Sequence, residues 1–184
     1  TKDQVRQLAK NYGLAVAEKP GSQEICFIPG NNYRDFLKNY AGIENKPGNI
    51  VDSRGNILGQ HKGIPFYTIG QREGLGIARG YPIYIIGINP RTNKIIVGPK
   101  EEAFKREFLL KQFHRLTGPL KNRIALNVKI RYNCNETPAD ILPQRNKIRV
   151  RFKNPQFSIT PGQSAVFYKG DQVIGGGIID KVIG

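Results

Sequence analysis

Methionine is missing from all 184 residues, which open on Thr1, so the sequence has no initiator and reads as a fragment or a processed chain. Cysteine is nearly missing: Cys26 and Cys134 stand 108 positions apart with no CxxC pair. That excludes the dense disulfide framework of a small secreted domain and points to a reducing compartment. The only histidines, His61 and His114, are isolated, so no metal site is expected, and structural polar contacts are the natural reading of both. No apolar run approaches the roughly 18 to 20 residues of a membrane span, and nothing at the start resembles a signal peptide. No GxxxxGK[ST] loop occurs. "GLGIARG" at 74–80 has the spacing GxGxxxG without a strong preceding strand, so the dinucleotide fingerprint fails. No nucleotide or other cofactor is expected to bind this chain.

Acidic residues are also scarce, 14 against 29 Lys and Arg, for a net charge of +15. Residues 1–104 carry 14 basic and 9 acidic side chains (+5), and residues 105–184 carry 15 and 5 (+10). A field of this sign attracts polyanions and speeds their encounter, so nucleic acid is the partner class to test first. The second half of the chain should hold the contact surface.

What is plentiful is turn chemistry: 21 glycines and 12 prolines among short β-branched runs. The expected fold is therefore mainly β, of the α+β kind, and not a helical bundle. "TKDQVRQLAKNYG" predicts a short helix. Thr1 and Gln4 match a capping box, Val5, Leu8, Ala9 and Tyr12 form one stripe, and Gly13 ends it. "NNYRDFLKNY" predicts a second helix capped by Asn31 or Asn32. "GNIVDSRGNILG" reads as two strands around a turn at 53–56, and "YPIYIIGINPRTNKIIVGP" as a hairpin with arms at 84–88 and 94–97. A boundary is expected near 101–104. Beyond it "IALNVKIRY", "KIRVRF" and "SAVFYKGDQVIGGGIID" are strand-like, and their number suggests a small closed barrel. In "KIRVRF", Lys147, Arg149 and Arg151 share one face while Ile148, Val150 and Phe152 share the other. The basic face makes these three candidate RNA contacts.

Two stretches invite a chemical reading. "HKGIPFYTIGQREGLGI" at 61–77 places Gln71 and Arg72 among close-set glycines, where an irregular backbone could offer donors to a phosphate or a base. A loop held by its own hydrogen bonds explains it equally well. "EKPGSQEICFIPGNNY" sets Cys26 between Ile25 and Phe27. Only the thiolate reacts, and apolar neighbours disfavour it unless a cation or a helix N-terminus compensates. From the residues alone, a buried and inert cysteine is the better-supported alternative. Cys134, in "YNCNETP", has less to recommend it as a reactive thiol.

"EKPGSQEICFIP", "GNIVDSRGNILGQHKGIPFYTIGQREGLGI", "NKIIVG", "KIRY" and "PGQSAVFYKGDQVIGGGII" together resemble the tRNA 2-thiouridylase family, in order and over nearly the whole chain. The resemblance implies sulfur transfer to the wobble uridine, position 34, of tRNAs for Lys, Glu and Gln. It implies that Cys26 carries the sulfur as a persulfide, loaded by a cysteine desulfurase or a sulfur-relay protein. A second catalytic cysteine, able to form a disulfide with Cys26, would lie in an N-terminal ATP-pyrophosphatase domain outside this chain. ATP, with Mg, would bind there too, so this chain alone should be inactive. The tRNA contacts carried over are Arg131, Tyr132 and Gln163, with Arg72, Lys147, Arg149 and Arg151 as further candidates. The implied architecture is 1–27 as the end of the catalytic domain with the cysteine loop, 28–104 as a small central adaptor domain, and 105–184 as a tRNA-binding barrel. A monomer in the bacterial cytosol, or in an organelle of bacterial descent, is expected, with no membrane partner. Two alternatives stand beside it: a stand-alone basic RNA-binding module, and a barrel that binds a protein of the translation apparatus.

Overall fold

The computed structural model describes residues 1–19, 28, 32–40, 46–116, 118, 120, 122–144 and 147–183, and the chain divides into compact units at Thr1–Glu44 and Asn45–Gly184. Cys26 lies outside the described residues.

In the first unit, helix α1 (Lys2–Asn11) begins with the capping box read from the sequence. The Thr1 hydroxyl accepts from the Gln4 N–H while the Gln4 side chain returns to the Thr1 amino group. The helix buries none of its residues, and Val5 and Leu8 of its stripe remain more than half exposed. Helix α2 (Tyr33–Tyr40) is capped by Asn32, whose Oδ1 accepts from the Asp35 N–H at 3.2 Å.

The second unit holds two β structures in sequence. Strands β1 (Gly48–Asp52) and β2 (Ile57–His61) form the first predicted hairpin, and β3 (Tyr84–Asn89) and β4 (Lys94–Gly98) the second. Asp52 shapes the first turn. Its carboxylate takes the N–H groups of Arg54 and Asn56 at 3.0 and 2.8 Å and the Asn56 amide at 2.9 Å. The hairpins join through a parallel pairing of β1 with β4, which gives the order β2-β1-β4-β3. Ile50, Leu75, Ile83, Ile85, Ile95 and Val97 bury one common core. His61 is interior, 1% exposed, with Nε2 donating to the Asn93 carbonyl at 3.1 Å and Nδ1 accepting from the Gly63 N–H at 3.1 Å. Both ring nitrogens are therefore engaged in holding the sheet.

The remaining strands are β5 (Phe104–Arg115), β6 (Ile124–Lys129), β7 (Thr137–Gln144), β8 (Lys147–Phe157), β9 (Ser164–Lys169) and β10 (Gln172–Ile183). They close a barrel in the order β10-β5-β8-β7-β6-β9. Strand alternation fills it: Phe108, Phe152 and Phe167 point inward and are at most 1% exposed. Removing a buried ring of that size typically costs about 3 to 5 kcal/mol. Ile148, Val150 and Phe152 line the interior, as their alternation predicts. Strands β5 and β7 had no clear counterpart in the sequence reading. Gln112, at φ 50°, sits where the β5–β10 register shifts and breaks the period of β5.

Sheet and barrel meet at residues 157–158. The Phe157 ring lies edge-on to Tyr84 and Phe104, with centroids 5.7 and 5.4 Å away. The Ser158 N–H donates to the Ala103 carbonyl at 2.8 Å.

Candidate nucleic-acid interface

Strands β6 and β9 are antiparallel neighbours with Lys129 opposite Val166. The turn after β6 and the turn before β9 therefore come together, although about thirty residues of sequence separate them. Between them opens a cleft of about 720 Å³ lined by Lys129, Arg131, Tyr132 and Asn133 on one side and Gly162, Gln163, Ser164, Val166 and Tyr168 on the other. The cleft gathers the three residues Arg131, Tyr132 and Gln163 singled out in the sequence.

Each is presented differently. Tyr132 is 91% exposed, and the Lys129 ammonium lies 5.9 Å from its ring centroid. Arg131 is anchored at one end: Nη2 donates to the Phe157 carbonyl at 2.8 Å and to the Ser158 carbonyl. Gln163 is fixed by its backbone, its carbonyl accepting from the Ile179 N–H at 2.8 Å, while its side-chain oxygen is buried with no partner. A cation and an open aromatic face together can pair with phosphate and stack on a base. Cys134 sits behind the same turn, half-buried, its thiol donating to the Arg131 carbonyl at 3.1 Å. It makes no disulfide among the described residues.

The basic face of β8 is not a bare positive stripe. Glu107 on β5 holds both Arg149, at 2.5 Å, and Arg151, and Asp180 on β10 holds Lys147 at 2.7 Å and Lys111 at 3.6 Å. Burial pushes the Glu107 carboxyl up, but hydrogen bonds and charge from Arg151 and Arg149 outweigh it and hold it below the usual carboxylate range. The Lys147 hydrogen bond does the same for Asp180. Sequence alternation reveals the basic face and cannot reveal these acids on neighbouring strands, because cross-strand register supplies them.

The 61–77 segment is held largely by its own bonds. Gln71 Oε1 accepts from the Thr68 N–H at 3.1 Å and Gln71 Nε2 donates to the Glu73 carbonyl at 2.8 Å. Arg72 is exposed and without a hydrogen bond or ion pair among the described residues. Lys129 opens the "KIRY" stretch, three residues before Tyr132, and that proximity is the sequence signal for its place in the cleft. No group of three or more His, Cys, Asp or Glu suited to a metal occurs among the described residues, and no helix of these is long and apolar enough to cross a membrane.

The structure is a basic chain with a closed barrel and an aromatic-bearing cleft, and comparison with known families places it further. Three family models match in chain order: a tRNA methyl transferase HUP domain over residues 1–30, a tRNA methyl transferase PRC-barrel domain over 34–99, and an aminomethyltransferase beta-barrel domain over 105–179. The chain is 48% identical over 183 residues to the tRNA-specific 2-thiouridylase MnmA of Carboxydothermus hydrogenoformans, covering 98% of this chain and 50% of that protein. It is 49% identical over 191 residues to the protein of that name from Desulforamulus reducens (100% and 50%), and 47% over 188 residues to that of Halothermothrix orenii (98% and 51%). The chain belongs to the tRNA-specific 2-thiouridylase family and spans about half the length of the curated relatives it matches.

Proposed function

We propose that this chain supplies the tRNA-gripping surface and the sulfur-carrying cysteine of a tRNA 2-thiouridylase. The observation that carries the reading is the cleft, which brings Arg131, Tyr132 and Gln163 together on the more basic half of a chain whose relatives bear that activity in their names. The substrates would be tRNAs for Lys, Glu and Gln, with uridine 34 turned out of its stack toward Cys26. The outer sulfur of a Cys26 persulfide, loaded by a cysteine desulfurase or a relay protein, would attack carbon 2 of the uracil, whose oxygen, once adenylated in an ATP-dependent step outside this chain, would leave as AMP. A persulfide is more acidic than a thiol, so it is the ionised and nucleophilic form at neutral pH. A second cysteine outside this chain then takes Cys26 into a disulfide and leaves the sulfur on the base. The family resemblance assigns ATP and Mg to residues outside this chain. The chain alone is expected to bind tRNA as a monomer without modifying it, in the cytosol of a bacterium or an organelle of bacterial descent.

The test has two arms. If about 6 to 10 phosphates are contacted, tRNA affinity of the chain should fall by roughly 10³ to 10⁵ between 50 and 200 mM salt; a flat response removes the barrel as a polyanion platform. In the full-length parent, Cys26→Ser should abolish 2-thiouridine formation while tRNA binding persists. Thiolation that survives the replacement leaves only the RNA-binding module.

A further inference from the structure

We propose that Gly70 of the central sheet domain and Ser158 at the foot of the barrel are positioning residues for the cleft, acting through Arg131. The inference rests on the reading of that cleft as the RNA site.

Gly70 has φ +90° and donates its N–H to the Ile85 carbonyl at 2.7 Å, so its backbone is pinned to β3. A Cβ built there would lie 2.8 Å from the Ser158 Cβ, nearer still to the Ser158 Oγ, and 3.3 Å from the Phe157 ring. The two chains thus approach as closely as a glycine permits. Ser158 is unusual in its own right. It has φ 52°, a region disfavoured for a side chain, is 1% exposed, and buries its Oγ without a partner. Neither its conformation nor its hydroxyl gives the barrel an evident gain in stability. What the side chain does is fill the space against Gly70.

The carbonyls of the same two-residue segment reach a residue that lines the cleft. The carbonyls of Phe157 and Ser158 are the acceptors that hold Arg131 Nη2, and Thr160 Oγ1 also donates to the Ser158 carbonyl at 2.9 Å. Hydrogen bonds to carbonyls are directional, so a shift of the segment turns the guanidinium. Arg131 lines the cleft, and its guanidinium is held by carbonyls whose place is set by the packing of Gly70 on Ser158. The 67–72 loop therefore contributes to RNA affinity by setting the direction of an arginine on another domain.

The experiment is a double-mutant cycle on tRNA binding by the chain, with Gly70→Ala, Ser158→Gly and the two combined, each checked for folding by melting. Gly70→Ala should weaken binding roughly tenfold and Ser158→Gly about two- to threefold. The double variant, with space restored, should bind at least about threefold tighter than Gly70→Ala alone. A purely additive or worse double variant overturns the proposal. Wild-type protein gives a second arm that needs no variant to fold. Saturating tRNA should slow amide exchange of Ser158 and Gly70, which touch the cleft only through Arg131, by about fivefold or more. Unchanged exchange there overturns the proposal even though tRNA binds. A chain that binds no tRNA at all overturns the reading of the cleft itself.

Discussion

The Lys129 ammonium lies 5.9 Å from the centre of the Tyr132 ring, and that ring is 91% exposed. A cation–π pair open to water contributes only about 0.5 to 1 kcal/mol, too little to account for a large aromatic side chain held out in solvent. Stacking on a base accounts for it better. Tyr132→Ala should therefore weaken tRNA binding by about 1 to 3 kcal/mol while leaving the melting temperature nearly unchanged, and Tyr132→Phe should retain most of the affinity. Titration of labelled tRNA checks this, and wild-type affinity in Tyr132→Ala removes the stacking role.

Lys129→Ala should reduce the slope of log affinity against log salt by about 1, the signature of one lost phosphate contact. Arg123 is held by Asp140 at 2.8 Å, so Arg123→Ala should change the slope less. Equal changes in both would mean the polyanion field is diffuse and the cleft is not its focus.

Glu107→Gln removes the acid that holds Arg149 and Arg151. Two guanidinium groups would then face solvent beside a neutral amide. Polyanion affinity should rise and its salt slope steepen, while resistance to denaturant falls. A variant that loses stability with no gain in tRNA affinity would place β8 away from the RNA.

The same ion pairs set a pH dependence. Because Arg151 and Arg149 outweigh burial and hold the folded Glu107 below its ordinary value, the unfolded chain binds a proton more readily than the folded one. That stability is fully present above the unfolded carboxylate range, about pH 4 to 4.5, and is lost as pH falls through the lower folded value. Asp180, held down by Lys147, acts in the same direction. Melting curves between pH 3 and pH 7 should show the wild type losing stability at the acid end, with a shallower dependence in Glu107→Gln.

Gly48→Ala tests the packing around His61. The added carbon would lie 2.7 Å from His61 Nε2 and 2.6 Å from Asn93 Nδ2. Unfolding by denaturant should show a loss of about 2 to 4 kcal/mol, within the range expected when a close backbone approach is blocked.

Local features of the fold were legible wherever neighbours in sequence decide them. The Thr1–Gln4 box, the turn after Asp52, and the alternation of Ile148, Val150 and Phe152 each depend on contacts or periods within a few residues. Strand β5 was not legible, because the left-handed Gln112 shifts its period midway, and β7 was masked by Pro138 and Pro143. The parallel union of β1 with β4 is a tertiary fact that no local pattern announces. The cleft residues could be named from family likeness, yet composition and periodicity could not say that Arg131 would turn one end toward Phe157. Nor could they say that Glu107 would pair with both Arg149 and Arg151 of β8. Both depend on register between strands far apart in the chain.

The barrel is sealed by its first strand against its last: Ile183 pairs with Glu107, and Gly175 with Arg115. On a ribosome the walls of the cleft emerge before β10 does, but Gln163 obtains its anchor at Ile179 only when β10 arrives. A chain stopped before β10 would thus carry the positive charges without the assembled groove. The groove is complete only once the strand that closes the ring is in place.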